Sequence, residues 1–262
     1  MRALLASPLG FLIGLSLGAL GGGGSILAIP ALVYAAGQPV GQAKVTSLLL
    51  VAITSLIGLL PHWRAGRVRL AAGVLFGVAG VGGALLGSAW SKGVDENLLL
   101  LLFAAVMVAA AVMMWRRSRP HAHGAHAAHA MSKTLRVDAA TIAKVIAAGS
   151  FVGLLTGFFG VGGGFVIVPM LVLALGFSMP EAAGTSLVVI IINSMVSFGG
   201  TVQGSSIEWG VVLPFVGASL VGVFVGSDLA GKRDPRVLQR WFVGLLVIVA
   251  VYTAVRSAVA LA

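Results

Sequence analysis

Two glycine clusters are the residues best suited to do chemistry in this chain. Gly21, Gly23 and Gly24, followed by Ser25, lie in the apolar stretch GALGGGGSILAIP at 18–30. Gly160, Gly162, Gly163 and Gly164 lie in GFFGVGGGFVIVP at 157–169. Without a Cβ, glycine reaches positive φ freely. Successive N–H groups can then turn toward one point and form an anion-binding nest. A helix starting near Ser25, and another at Gly164, would add the positive ends of their dipoles there. Pro30 and Pro169 follow at the same distance in both stretches. Lacking an N–H, they leave the carbonyls of Ile26 and Phe165 without their usual partners. Thr46, Ser47, Thr185, Ser186 and Asn193 sit in apolar surroundings and can donate hydrogen bonds to an anion without bringing net charge. The plainer alternative for the hydroxyls is bonding to their own helix backbone.

The elements that must hold these residues follow from composition. The chain has 262 residues, of which 59% are hydrophobic and 9% charged. A soluble domain carries about 25% charged residues, so this is an integral membrane protein. The net charge of +10 comes in short runs between apolar spans, as in loops of membrane proteins. No aromatic residues interleave with the basic ones in the way nucleic-acid binding requires. There is no cysteine, which excludes disulfides and thiolate metal sites. No metal ligand set, cofactor or catalytic constellation is expected. GLSLG at 14–18 matches a nucleophile pattern but lacks its strand–turn–helix setting.

The chain repeats itself at a constant offset of 139 residues. Gly21, Gly23 and Gly24 fall on Gly160, Gly162 and Gly163; Pro30 falls on Pro169, and Thr46-Ser47 on Thr185-Ser186. Gly83, Gly87 and Asp95 fall on Gly222, Gly226 and Asp234. Gly10, Gly14 and Gly18 recur as Gly149, Gly153 and Gly157. Their spacing suits close helix packing, and it argues that the apolar N-terminus is part of the fold and not a cleaved leader. The expected organisation is a first transmembrane repeat at 1–115, a basic, His-rich cytoplasmic linker at 116–141 and a second repeat at 142–262.

Each half has four apolar blocks: 4–36, 45–61, 70–91 and 97–115, then 142–175, 184–200, 207–228 and 237–259. Three of each four suit one crossing of about 20 residues. The first is too long for one crossing, and its glycines leave a second piece of about 12 residues, or about 18 Å. Two arms around a glycine tip fit better, as a re-entrant hairpin or a broken helix. The loop at 62–69 carries Arg64, Arg67 and Arg69, while its counterpart at 201–208 has no Lys or Arg. The next loop reverses this: Lys232, Arg233 and Arg236 face a single Lys92. If basic loops are cytoplasmic, the halves have opposite orientation. The fold expected is an all-α polytopic membrane protein of two tandem, inverted repeats, each with a glycine-broken first segment and three transmembrane helices.

No Asp, Glu, Lys or Arg falls mid-block; Glu181, Asp228 and Lys44 lie near block ends. An intramembrane carboxylate would mark a proton or cation path, so a neutral, donor-rich site suits an anion. His62 is expected as an interfacial loop histidine, and the five tryptophans as interfacial anchors. His121, His123, His126 and His129 in the linker offer at most a weak divalent-metal site.

These stretches, with KVTS, AGTS and the HWRAGRVR loop, resemble the duplicated signature of the sulfite exporter TauE/SafE family. One departure is Ser25, where the second half has Gly164. The resemblance implies a membrane transporter for sulfite or organosulfonates. The expectation is a multi-pass protein of the cell membrane that moves small anions outward by alternating access, its partners being the anion and the lipid bilayer. A homo-oligomer is open. The alternatives are a proton-coupled carrier of small organic acids, with Glu181 or Asp228 titrating, and a non-transporting scaffold.

Overall fold

A computed structural model describes residues 2–117, 139–159, 164–202 and 208–261. The linker histidines, Gly160, Gly162, Gly163 and most of the 201–208 loop lie outside the described residues. Regular structure among the described residues is all helical. Helix α1 (Arg2–Leu20) leads into one 3-10 turn (Gly21–Gly24), the short α2 (Ser25–Pro30) and a π-helical turn (Ala31–Ala35). Helices α3 (Val40–Arg64), α4 (Leu70–Trp90) and α5 (Glu96–Arg117) complete the first half. The second half comprises α6 (Ala139–Phe159), α7 (Gly164–Leu175), α8 (Met179–Thr201), α9 (Trp209–Lys232) and α10 (Pro235–Leu261). Helices α3, α4, α5, α8, α9 and α10 are long and apolar enough to cross a membrane.

Polarity is arranged for lipid, with apolar side chains outward and hydroxyls inward. Ile248, Leu213 and Leu56 are 60% exposed or more, while Ser47, Ser55, His62, Thr185, Asn193 and Ser197 are fully buried. Hydrocarbon offers no hydrogen-bond partner, so polar groups gather inside the bundle. Trp63, Trp90, Trp115, Trp209 and Trp241 are exposed at or near helix ends, as interfacial anchoring requires.

The glycine spacing read from the sequence determines the tightest helix contacts. Side chains at Gly10, Gly14 and Gly18 of α1 would overlap the backbone of Phe215, Ser219 and Val223 in α9. Those at Gly149, Gly153 and Gly157 of α6 would overlap Phe76, Gly80 and Ala84 in α4. Each contact in the second set is the first moved by the repeat offset. The first helix of each half thus packs on a helix of the other half. In both pairs ascending residue numbers meet ascending ones, so the paired helices run parallel. Bare Cα atoms let the backbones approach this closely, and dispersion then holds the helices together where no hydrophobic drive exists.

The repeat also recurs in the turns. Gly37 (φ 67) and Gly176 (φ 70) stop the two short arms, as αL glycines do at helix C-termini. Gln38 N–H donates to the Leu32 carbonyl at 3.0 Å, and Phe177 N–H donates to that of Leu171 at 3.2 Å.

Two expectations need correction. Helix α3 outruns its apolar block at both ends, so His62, expected in a loop, is a buried helical residue, as is Lys44. The arm after the first glycines holds only a six-residue helix before the π turn. It is too short to bring a helix dipole of consequence to the glycine tip.

Candidate functional site

The chain breaks where the glycines predicted it would. Gly21 has φ +66, a conformation that costs other L-residues about 1–2 kcal/mol. A Cβ there would stand 2.5 Å from the Ala183 Cα and 2.7 Å from Ser186 Oγ. Gly22 N–H, turned out of the α1 ladder, donates to Ser186 Oγ at 3.2 Å. Ser186 Oγ donates in turn to the Ala183 carbonyl at 2.8 Å. Ser25 Oγ donates to the Gly22 carbonyl at 2.7 Å. Gly22 and Gly164 meet backbone to backbone, with room for a side chain on neither. Gly21, Ser25, Gly164 and Ser186 are therefore brought together from three segments.

The other selected residues lie around this point in different ways. Thr185 Oγ1 accepts from Arg69 N–H at 3.0 Å, which ties α8 to the α3–α4 turn. Ser47 Oγ donates to the Lys44 carbonyl at 2.9 Å. Thr46 Oγ1 is buried and without a partner, as are both amide atoms of Asn193. Asn193 is fully buried midway along α8, beside Gly80 of α4. Ser55, Ser194 and Ser197 also hold buried, unpartnered hydroxyls in α3 and α8. Leaving such groups unmatched costs about 1–3 kcal/mol each.

Two basic residues, read from the sequence as lying at block ends, are brought by the fold to the broken helix ends. His62 Nε2 lies 2.8 Å from the Gly18 carbonyl in the last turn of α1. Lys44 Nζ donates to the Phe158 carbonyl at the end of α6 (3.0 Å) and to Ser91 Oγ (2.7 Å). The last carbonyls of a helix have no intrahelical donor, and cations there also suit the dipole. Both caps come from α3; their repeat positions hold Thr201 and Ala183. A buried lysine thus stands at the end of α6. The signal was available in the sequence: both residues lie within helical reach of the block they flank.

The two carboxylates considered as proton carriers are engaged elsewhere. Glu181 pairs with Arg69 at 2.6 Å and completes the capping box with Ser178 at the start of α8. Asp228 pairs with Lys232 at 2.6 Å, well exposed to the surroundings.

The first helix of each half thus packs through its glycine stripe on a helix of the other half. The sequence profile of the sulfite exporter TauE/SafE family matches residues 6–253. The chain belongs to the TauE/SafE family. A "Probable membrane transporter protein" of Xylella fastidiosa (strain 9a5c) is 31% identical over 95% of this chain and 93% of its own length. Two "Probable membrane transporter" proteins of Bacillus subtilis (strain 168), YdhB and YunE, are 25% and 26% identical. They cover 87% and 90% of this chain and 91% and 88% of themselves. No solved structure matches the chain. This TauE/SafE protein is a multi-pass membrane transporter, which implies a bilayer and a small-molecule substrate.

Proposed function

We propose that this transporter carries small oxyanions of the sulfite and sulfonate class out of the cell across the cytoplasmic membrane. The observation that carries the reading is the break at Gly21–Gly24, seated on Ser186 and Gly164. Irregular backbone survives at membrane depth only where protein buries it or a watery cavity meets it. Here it brings main-chain N–H groups, the N-terminus of the 12-residue α7 and the α8 hydroxyls to one place. By the repeat, Gly160, Gly162, Gly163 and Gly164 are assigned the anion-binding role proposed for Gly21, Gly23, Gly24 and Ser25. Thr46, Ser47, Thr185, Ser186 and Asn193 supply further donors.

The halves, 1–115 and 142–262, are inverted repeats joined by a cytoplasmic linker at 116–141. Two observations support this. α1 is parallel to α9, and α6 to α4, through contacts that exchange under the repeat offset. With the first segment of each half taken as a hairpin, α9 opposes α6. A helix parallel to α9 must therefore oppose its own repeat mate. The broken first segment is a re-entrant hairpin, because α2 and its π turn span only Ser25–Ala35, about 16 Å. The backbone contact of Gly22 with Gly164 is the closed gate of this proposal. Rocking parts them, with α1 travelling with α9 and α6 with α4. Export of an anion runs downhill from a negative interior by about 2.3 kcal/mol per charge per 100 mV.

Flux of labelled sulfite from proteoliposomes tests this. Protein-dependent efflux, enhanced by an inside-negative potential, is expected. Absence of flux for sulfite and for every organosulfonate tried would leave a scaffold as the better reading.

A further inference from the structure

We propose that His62 is a proton-binding site coupled to anion binding at the first glycine break; the idea rests on the anion-transport reading above. His62 is fully buried, and an ionisable residue inside a membrane bundle marks function by default. Its Nε2 lies 2.8 Å from the Gly18 carbonyl. A carbonyl oxygen only accepts, so Nε2 carries the hydrogen and Nδ1 keeps a lone pair. Nδ1 is buried and has no partner. That lone pair is where a proton would bind.

Helices α1, α8 and α9 converge on α3 one turn away, where a side chain at Gly58 would meet Leu17, Leu187 and Val223. The charged groups these elements present do not balance an imidazolium. Pro8–Leu20 of α1 has no ionisable side chain. Glu181 of α8 is held by Arg69 and Ser178. Asp228 of α9 is held by Lys232. On the α3 side stand Lys44, Arg64, Arg67 and Arg69, all cations, with Arg67 turned to the Ser227 carbonyl.

A second positive charge at Nδ1 is therefore stabilised chiefly by an anion lodged at Gly21–Ser25, one helical turn beyond Gly18. Each ligand then favours the other by the same factor. Proton and anion therefore bind together at the site. The proton binds at His62, not at Glu181 or Asp228.

The test uses methanesulfonate, which stays ionised throughout the titration range of histidine, and purified full-length protein. Its dissociation constant is measured between about pH 5.5 and 8, where histidine changes charge. In the wild type, affinity falls as pH rises, by up to about tenfold per unit above the histidine pKa, the limit for one linked proton. His62→Gln keeps an N–H for the Gly18 carbonyl and cannot take a proton, so its affinity is flat with pH. A second measurement needs no variant: binding to wild type in weak buffer takes up close to one proton per anion. A flat wild-type profile, an unchanged slope in His62→Gln, or no proton uptake overturns the proposal while leaving anion binding intact. No methanesulfonate binding at any pH, together with no sulfite flux, overturns the underlying reading as well.

Discussion

Replacing Gly21 by alanine separates the two demands made on that residue. One is conformational: at φ +66 an L-residue costs about 1–2 kcal/mol. The other is steric: the new Cβ would stand 2.5 Å from backbone atoms of Ala183 and 2.7 Å from Ser186 Oγ. Overpacking of this kind costs about 1–3 kcal/mol, and moving Ser186 strains the bond it accepts from Gly22, worth about 1 kcal/mol. The total is about 3–6 kcal/mol. Gly66 supplies the control. It has the same φ of +66 and nothing within 4 Å, so Gly66→Ala bears only the conformational cost. Thermal unfolding of both variants in one detergent, paired with sulfite flux from vesicles, reads the difference. Gly21→Ala should be the less stable and lose at least about tenfold in rate, the equivalent of about 1.4 kcal/mol. If Gly21→Ala matches Gly66→Ala in both stability and flux, the contact with α8 has no functional weight and the reasoning fails.

Other consequences follow from the same coordinates. Gly14→Val would push α1 off the Ser219 backbone, and the protein should lose monodispersity in detergent; Gly82→Ala, with open space around it, should behave as wild type. Lys44→Met removes bonds to Phe158 and Ser91 and should lower the unfolding free energy by about 3–6 kcal/mol, since bonds from a charged donor are worth about 1.5–3 each. Arg69→Ala breaks a pair whose side chains are 50% and 29% exposed, and its effect on the same measurement should stay below about 1 kcal/mol. Cysteines placed at 66 and 205 should label from opposite sides of the membrane; labelling from one side would refute the inverted arrangement.

The helices were legible because each apolar run is long enough to cross, and the repeat because one offset aligns both halves without a gap. Gly10, Gly14 and Gly18 announced a close helix contact through their spacing. That spacing fixes which face is bare but not which helix meets it, so the partnership of α1 with α9 became visible only in three dimensions. The break was legible at Gly21 because four glycines cannot hold a helix against other demands. Its consequence for Gly22, an N–H donated across to Ser186, was not, because the two are 164 positions apart. Lys44 and His62 were misplaced for a definite reason. Hydropathy bounded the span at Lys44 and His62, whereas α3 continues through Pro61 to Arg64 and buries both basic groups against broken helix ends. Most of the selected hydroxyls also serve local bonds, and only Thr46 and Asn193 among the selected side chains remain unmatched.

The central claim is that main-chain amides at the glycine break receive the anion. Selenite, the heavier congener of sulfite, allows it to be located directly by anomalous scattering from crystals of the full-length protein. The account predicts a selenium peak within hydrogen-bond reach of the Gly21–Ser25 backbone, on the side facing Ser186 and Gly164. A peak elsewhere in the bundle, with Gly22 still closed on Gly164, would contradict it.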